Sequence, residues 1–136
     1  MRQRVTLALS EIFVISIYGS DLFEDVSQVA GNYLDMMADH AFGNYRNLLR
    51  DVTRNPGMGI YLSHYNNPKT DLANNIFPDE NYAREIMQLF SIGLLQLNND
   101  GSVMLGSNGF PVPTYSNLDI NAVSYTHLTL PTIYSV

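Results

Sequence analysis

The side chains equipped for catalysis or ligand binding are few in this chain, and they are densest between Asp79 and Ile92. Glu80 and Arg84 stand four apart with Glu85 beside them, so a helix brings the first two together while Asn81 and Gln88 extend the polar stripe. Carboxylates beside a guanidinium suit acid/base catalysis or the holding of a substrate anion when they face a cleft. On a solvated face the same spacing is an ion pair worth only about 0.3–0.5 kcal/mol. Glu80, Arg84 and Glu85 are therefore the candidate catalytic residues. His40 and His64 are the candidate metal ligands, joining Glu80 and Glu85 in a His/carboxylate site if the chain folds back on itself. Neither histidine has a second ligand three or four residues away, so a cap at a helix C-terminus for His40 and a local hydrogen bond at a loop entry for His64 are the competing readings.

Arg46, Arg50 and Arg54 recur every four residues and would bind a phosphate or sulfate group bidentately, or pair with the acidic outer face of the preceding helix, which is the reading we favour. Asn98-Asn99-Asp100-Gly101-Ser102 lacks the alternating acidic ligands and terminal Glu of a calcium loop and reads as a hairpin turn. No nucleophile elbow, phosphate-binding P-loop or His-Glu-x-x-His motif occurs, and Gly57-Met58-Gly59 lacks the third glycine and preceding strand of a dinucleotide site. With no cysteine, disulfides and thiolate chemistry are excluded from these residues. The sequence names no cofactor.

The elements that must position these groups are mostly helical. A content of 46% hydrophobic and 15% charged residues over 136 positions is that of a globular domain, and the net charge of -6 opposes binding to nucleic acid and to anionic lipid. Val5, Leu9, Ile12 and Phe13 keep a helical period, with Leu7 and Val14 on the other side, which predicts a first helix buried nearly all round. Its opening Arg2-Gln3-Arg4 imitates a signal peptide, but Glu11 interrupts the apolar run, and no run reaches the roughly 18 residues of a membrane span. Gly19 and Ser20 divide it from a second helix with Leu22, Val26, Val29, Ala30, Tyr33 and Met37 inward and Asp35 and Asp39 outward. Asn44 caps a third, with Tyr45, Leu48, Leu49 and Val52 inward, and Asn55-Pro56 starts a short fourth that reaches His64. A loop spans residues 65–77. The fifth helix runs over 79–92, capped by Asp79, with Tyr82, Ile86, Leu89 and Phe90 inward and Gly93 as its stop. Residues 94–105 form a small hairpin, a Gly/Pro-rich stretch follows through Pro113, and Ser116 caps a last helix. The sequence shows no internal repeat.

Three segments carry a family resemblance: Arg2-Gln3-Arg4-Val5 through Phe13-Val14, His40-Ala41-Phe42-Gly43-Asn44-Tyr45-Arg46, and Pro78-Asp79-Glu80-Asn81-Tyr82-Ala83-Arg84-Glu85 through Gly93. Asp51-Val52-Thr53 and Asn55 through Ser63 add to it. Over about residues 2–121 the chain resembles the bacterial family called domain of unknown function 1800. Members are much longer, so the resemblance implies that both ends are missing here and that the first helix, whose packing partners lie in them, keeps exposed apolar surface; some members carry histidine at the position of Phe90, and export is a family habit. The stretch from Val123 to Thr132 departs from the family and looks like translated sequencing adaptor of the kind found at broken ends of assembled environmental DNA. Residues 123–136, His127 included, are therefore set apart from the site.

The expectation is a mainly α fold, an irregular helical bundle fragment of about five helices with a small β-hairpin near residues 94–105. It forms one helical domain over 1–122 that lacks its two ends, followed by the tail. Two functions are open: a helical core of an exported bacterial protein with a structural or assembly role, its partners the missing parts of the same chain and a cell-surface protein, or a metal-assisted or acid/base hydrolase with its site on the helix 79–92.

Overall fold

A computed structural model describes residues 1–16 and 27–128. The fold is mainly α, with six helices among the described residues: α1 (Arg2–Ile12), α2 (Ser27–Asp39), α3 (Tyr45–Arg54), α4 (Pro56–Tyr61), α5 (Asn81–Gln88) and α6 (Asn117–Leu128). They belong to two compact units, one within Met1–Asn67 and one within Pro68–Thr129, each described by itself. The expected junction at Gly19 and Ser20, the inward Leu22 and Val26, and most of the adaptor-like tail lie outside the described residues.

In the first unit the core forms from Phe13, Tyr33, Met37, Leu48, Val52 and Met58. Tyr33 and Met37 lie four apart on α2, Leu48 and Val52 four apart on α3, so each helix turns one apolar stripe inward as its period requires. The Tyr33 hydroxyl donates to the Phe13 carbonyl at 2.9 Å, which satisfies a polar tip that would otherwise be costly to bury. At the other end of the pair, the Arg2 guanidinium donates to the Ala38 carbonyl at 3.0 Å in the last turn of α2. Helix α1 carries the exposed apolar surface expected of it. None of its residues is buried and Leu7 is 63% exposed, because α2 covers only one of its apolar sides.

Asparagine punctuates α3 and α4. Asn44 Oδ1 accepts the Arg46 N–H at 2.9 Å, and Asn55 Oδ1 accepts the Gly57 N–H at 2.9 Å with Pro56 at the first helical position. Gly57 and Gly59 have a packing reason. A Cβ at Gly57 would lie 3.1 Å from Val29 Cγ1 and 3.2 Å from Ile15 Cδ1, and one at Gly59 3.2 Å from Tyr65 Cβ. Bare backbone is what lets α4 settle against α2. Helix α4 ends at Tyr61, before His64, where Ser63 takes a positive φ of 60° and the Tyr65 N–H returns to the Gly59 carbonyl at 2.9 Å.

In the second unit α5 packs on α6 through Ala83, Met87 and Ile120, with Ile86, Tyr115 and Val123 around them. The expected loop contains a tight turn at Asp71, whose backbone exchanges two 2.9 Å hydrogen bonds with Ile76 and whose carboxylate accepts from Ala73 and Asn74. Helix α5 is shorter than the expected 79–92. Beyond Gln88 the N–H groups of Phe90 and Ile92 reach back five residues and that of Gly93 six, so the α pattern has ended, and Gly93 closes it at φ 73°. This widening turns Phe90 into the core but leaves Leu89, expected inward, 63% exposed. Helix α6 begins as expected just after Ser116, whose backbone N–H and hydroxyl both donate to Asp119 Oδ2 at 2.8 Å. It runs on through Val123 and Ser124, and Ser124 Oγ donates to the Asp79 carbonyl at 3.2 Å.

Residues 94–114 form more than the expected hairpin. Leu97 bridges Val103 as a hairpin would, but the Gly/Pro-rich stretch returns as a third arm, with Leu105 bridging Pro111 and Leu95 bridging Pro113.

Candidate functional site

Asp79 stands just before α5 and accepts the Asn81 N–H at 2.7 Å, so it supplies the expected capping group although Glu80 occupies the cap position. That start sets the register of the candidate catalytic residues. Arg84 donates to Glu80 Oε2 at 2.7 Å across one helical turn, with both side chains partly open to solvent. Glu85 is turned further inward. Its Oε2 is buried and makes no hydrogen bond among the described residues, whereas its backbone carbonyl receives the Leu89 and Phe90 N–H groups. A carboxylate oxygen hidden from water without a donor costs free energy, so Glu85 is the residue of this helix whose environment is unsatisfied.

The histidines belong to the first unit. His40 follows the last turn of α2, and its Nε2 lies 2.7 Å from Asp51 Oδ2 on α3. Arg50 Nε donates to the other oxygen of the same carboxylate at 3.2 Å. Burial works to raise the Asp51 pKa, but the hydrogen bonds from His40 and Arg50 and their charges outweigh it and hold the carboxyl below its ordinary value. Arg50 thus pairs with Asp51 rather than with the acidic face of α2, because the carboxylate next to it on α3 is already within reach. Arg46 and Arg54 make no ion pair among the described residues. His64 lies beyond α4, with Nε2 2.9 Å from the Thr53 carbonyl in the last turn of α3.

The structure therefore joins Glu80 to Arg84, His40 to Asp51 and Arg50, and His64 to the backbone of Thr53. Asp51 was singled out in the sequence only as part of the family resemblance and not as a site residue. It lies eleven residues from His40, across the turn between two helices, and periodicity within a helix carries no signal for such a pair. Among the described residues, no group of three or more His, Asp or Glu side chains is placed to hold a metal ion. Nor is any helix long and apolar enough to cross a membrane.

The segments that carry these groups, from the start of α1 through α6, fall within one match. A family model described as a protein of unknown function (DUF1800) covers residues 1–126. The chain belongs to this family. The match extends past Val123 and Ser124, where the adaptor-like tail was expected to begin, and both residues pack within α6 of the DUF1800 chain. No curated protein and no solved structure matches the chain.

Proposed function

We propose that this DUF1800 chain is the helical core of an exported bacterial protein with a structural or assembly role; export is carried over from the family resemblance. The observation that supports the reading is the local engagement of the candidate residues. Glu80 and Arg84 form an i,i+4 pair, His40 is held by Asp51, and His64 by the Thr53 carbonyl. Ion pairs this open to solvent and bonds to nearby backbone stabilise helices and their junctions, and are the ordinary fate of such side chains in a folded core.

The second reading, a metal-assisted or acid/base hydrolase with its site on α5, has one observation in its favour: the buried, unpartnered Oε2 of Glu85. A carboxylate oxygen kept from water and left without a donor has a position open to a cation. Elemental mass spectrometry of the purified protein and of its Glu85→Ala variant separates the two. The structural reading expects no stoichiometric metal in either. Metal bound by the wild type and lost in the variant would overturn it in favour of the hydrolase.

A further inference from the structure

Residues 94–114 repeat every eight positions, although the sequence alone shows no repeat. Three backbone hydrogen bonds close a ring: Gln96 N–H to the Val112 carbonyl at 2.9 Å, Val112 N–H to Met104 at 3.0 Å, and Met104 N–H to Gln96 at 2.9 Å. The outer bonds follow the same step, Asn98 to Ser102 at 2.8 Å, Gly106 to Phe110 at 2.9 Å and Thr114 to Leu94 at 3.1 Å. Two corners of this ring are Asp100-Gly101 and Asn108-Gly109, alike in form, with glycine φ of 84° and 76°. At each, the side-chain oxygen turns back on the chain: Asp100 Oδ1 accepts the Ser102 N–H at 2.9 Å and Asn108 Oδ1 the Phe110 N–H at 3.1 Å.

The two corners differ in one group, carboxylate against carboxamide, and that difference decides their chemistry. A backbone nitrogen can attack the side-chain carbonyl carbon of the residue before it when the group to be displaced leaves readily and no Cβ crowds the approach. Asp100 resists such attack. Hydrogen bonds from the Ser102 hydroxyl and N–H hold its carboxyl below the ordinary value, so it stays charged and repels a nucleophile. Asn108 is neutral and exposed, and it is the only asparagine in the chain followed by glycine. A Cβ at Gly109 would meet nothing within 4 Å, whereas one at Gly106 would lie 3.1 Å from Asn108 Oδ1, so the amide is folded over the turn and the space beside Gly109 is open. The Phe110 N–H points at the oxygen that takes up negative charge when Cγ is attacked, a donor placed as in an oxyanion hole. The Gly109 N–H donates to the Gly106 carbonyl at 2.9 Å, a bond within an exposed turn that opens when the turn frays.

We propose that Asn108 is a site of spontaneous chemical modification, at which the Gly109 backbone nitrogen displaces the side-chain amide as ammonia and leaves aspartate and isoaspartate in its place. Base removes the Gly109 amide proton, and the nitrogen forms a bond to Asn108 Cγ. The bond from Cγ to Nδ2 then breaks, and ammonia leaves with a proton taken from water. Water next opens the cyclic imide at either carbonyl. One opening restores the backbone with aspartate, the form already present at the Asp100 corner; the other routes the backbone through the side chain. Water is the sole co-reactant and nothing is oxidised or reduced. The product carries a second carboxylate in a stretch, Leu89 to Ser116, whose single charge is Asp100, and the iso-linked form adds a methylene to the corner that joins the second arm to the third.

The test is incubation of the full chain at mildly alkaline pH, with circular dichroism confirming that it stays folded. Beside it stand the variant Asn108→Gln, whose side chain is too long to close the same ring readily, and the wild type held unfolded in urea. Peptide mapping by mass spectrometry, with fragmentation that separates the two linkages, follows every asparagine. The expected result for the folded wild type is conversion of Asn108 ahead of every other asparagine, in both linkages and at a rate that rises with pH. In the variant that conversion is lost and the rest of the map is unchanged. An Asn108 that stays intact in the folded chain, whether or not the unfolded chain reacts, would overturn the proposal, because the closed turn would then be holding the nitrogen back. Another asparagine reacting first would overturn it too. So would aspartate formed without isoaspartate, since direct hydrolysis of the side chain gives that linkage alone.

Discussion

His40 and Asp51 meet at 2.7 Å although nothing in their spacing announces it, and the pair has a measurable consequence. Hydrogen bonds from His40 and Arg50 prevail over burial and leave the Asp51 pKa lower in the folded chain than in the unfolded one. A carboxyl shifted in this direction contributes stability above its unfolded pKa of about 3.9, and that contribution is lost as the pH falls through the folded value. Asp51→Asn is expected to destabilise the protein by about 1 kcal/mol near pH 6, the upper range for a partly exposed pair. Denaturant titrations of wild type and variant should converge as the pH is lowered through the folded pKa of Asp51. A difference that persisted there would mean that Asp51 acts through its shape rather than its charge. Glu80 and Arg84 show the opposite kind of legibility. Their contact follows from helical spacing alone, since a helix places residues four apart on one face wherever it sits.

At the scale of elements, caps and stops were readable because they act within a few residues of chain. Asn44, Asn55-Pro56 and Ser116 each mark a helix start through a local bond. Gly57 was readable only as an incomplete motif, for its role is the approach of α4 to Ile15 and to Val29 on α2. Gly57→Ala is expected to cost about 1–3 kcal/mol, the range for overfilling a packed contact, against the slight gain in helix propensity that alanine would bring on an open surface. Thermal denaturation followed by circular dichroism checks the sign. An unchanged or raised midpoint would show that the neighbours yield without strain. The length of α5 was misread for a related reason. Apolar residues continue past Gln88, but the N–H groups of Phe90, Ile92 and Gly93 bond five and six residues back, and Leu89 swings outward.

For the whole molecule, composition bounds charge and class. A net charge of -6 and an isoelectric point near 4.7 set how copies of the chain meet. As the pH falls from 7 towards 5, that charge shrinks and the repulsion between copies with it, so attraction between chains should strengthen. Static light scattering over a concentration series is expected to give a second virial coefficient that falls across this range. A coefficient independent of pH would show that charge is not what holds the copies apart.

Family membership, the helical class and the starts of α3, α4 and α6 followed from the sequence by itself, since each rests on short motifs or on a period of three to four residues. Tertiary structure decided three further matters. It chose Asp51 as the partner of His40, left α1 uncovered on one side, and folded the Gly/Pro stretch back as the third arm of a ring. The reason is common to all three. Each depends on which residues far apart in the chain come to lie together, and side-chain periodicity is blind to that. The eight-residue repeat is the plainest case: its arms differ in residue type, Leu-Leu-Gln-Leu, Ser-Val-Met-Leu and Phe-Pro-Val-Pro, and are made equivalent by the hydrogen bonds of their backbones.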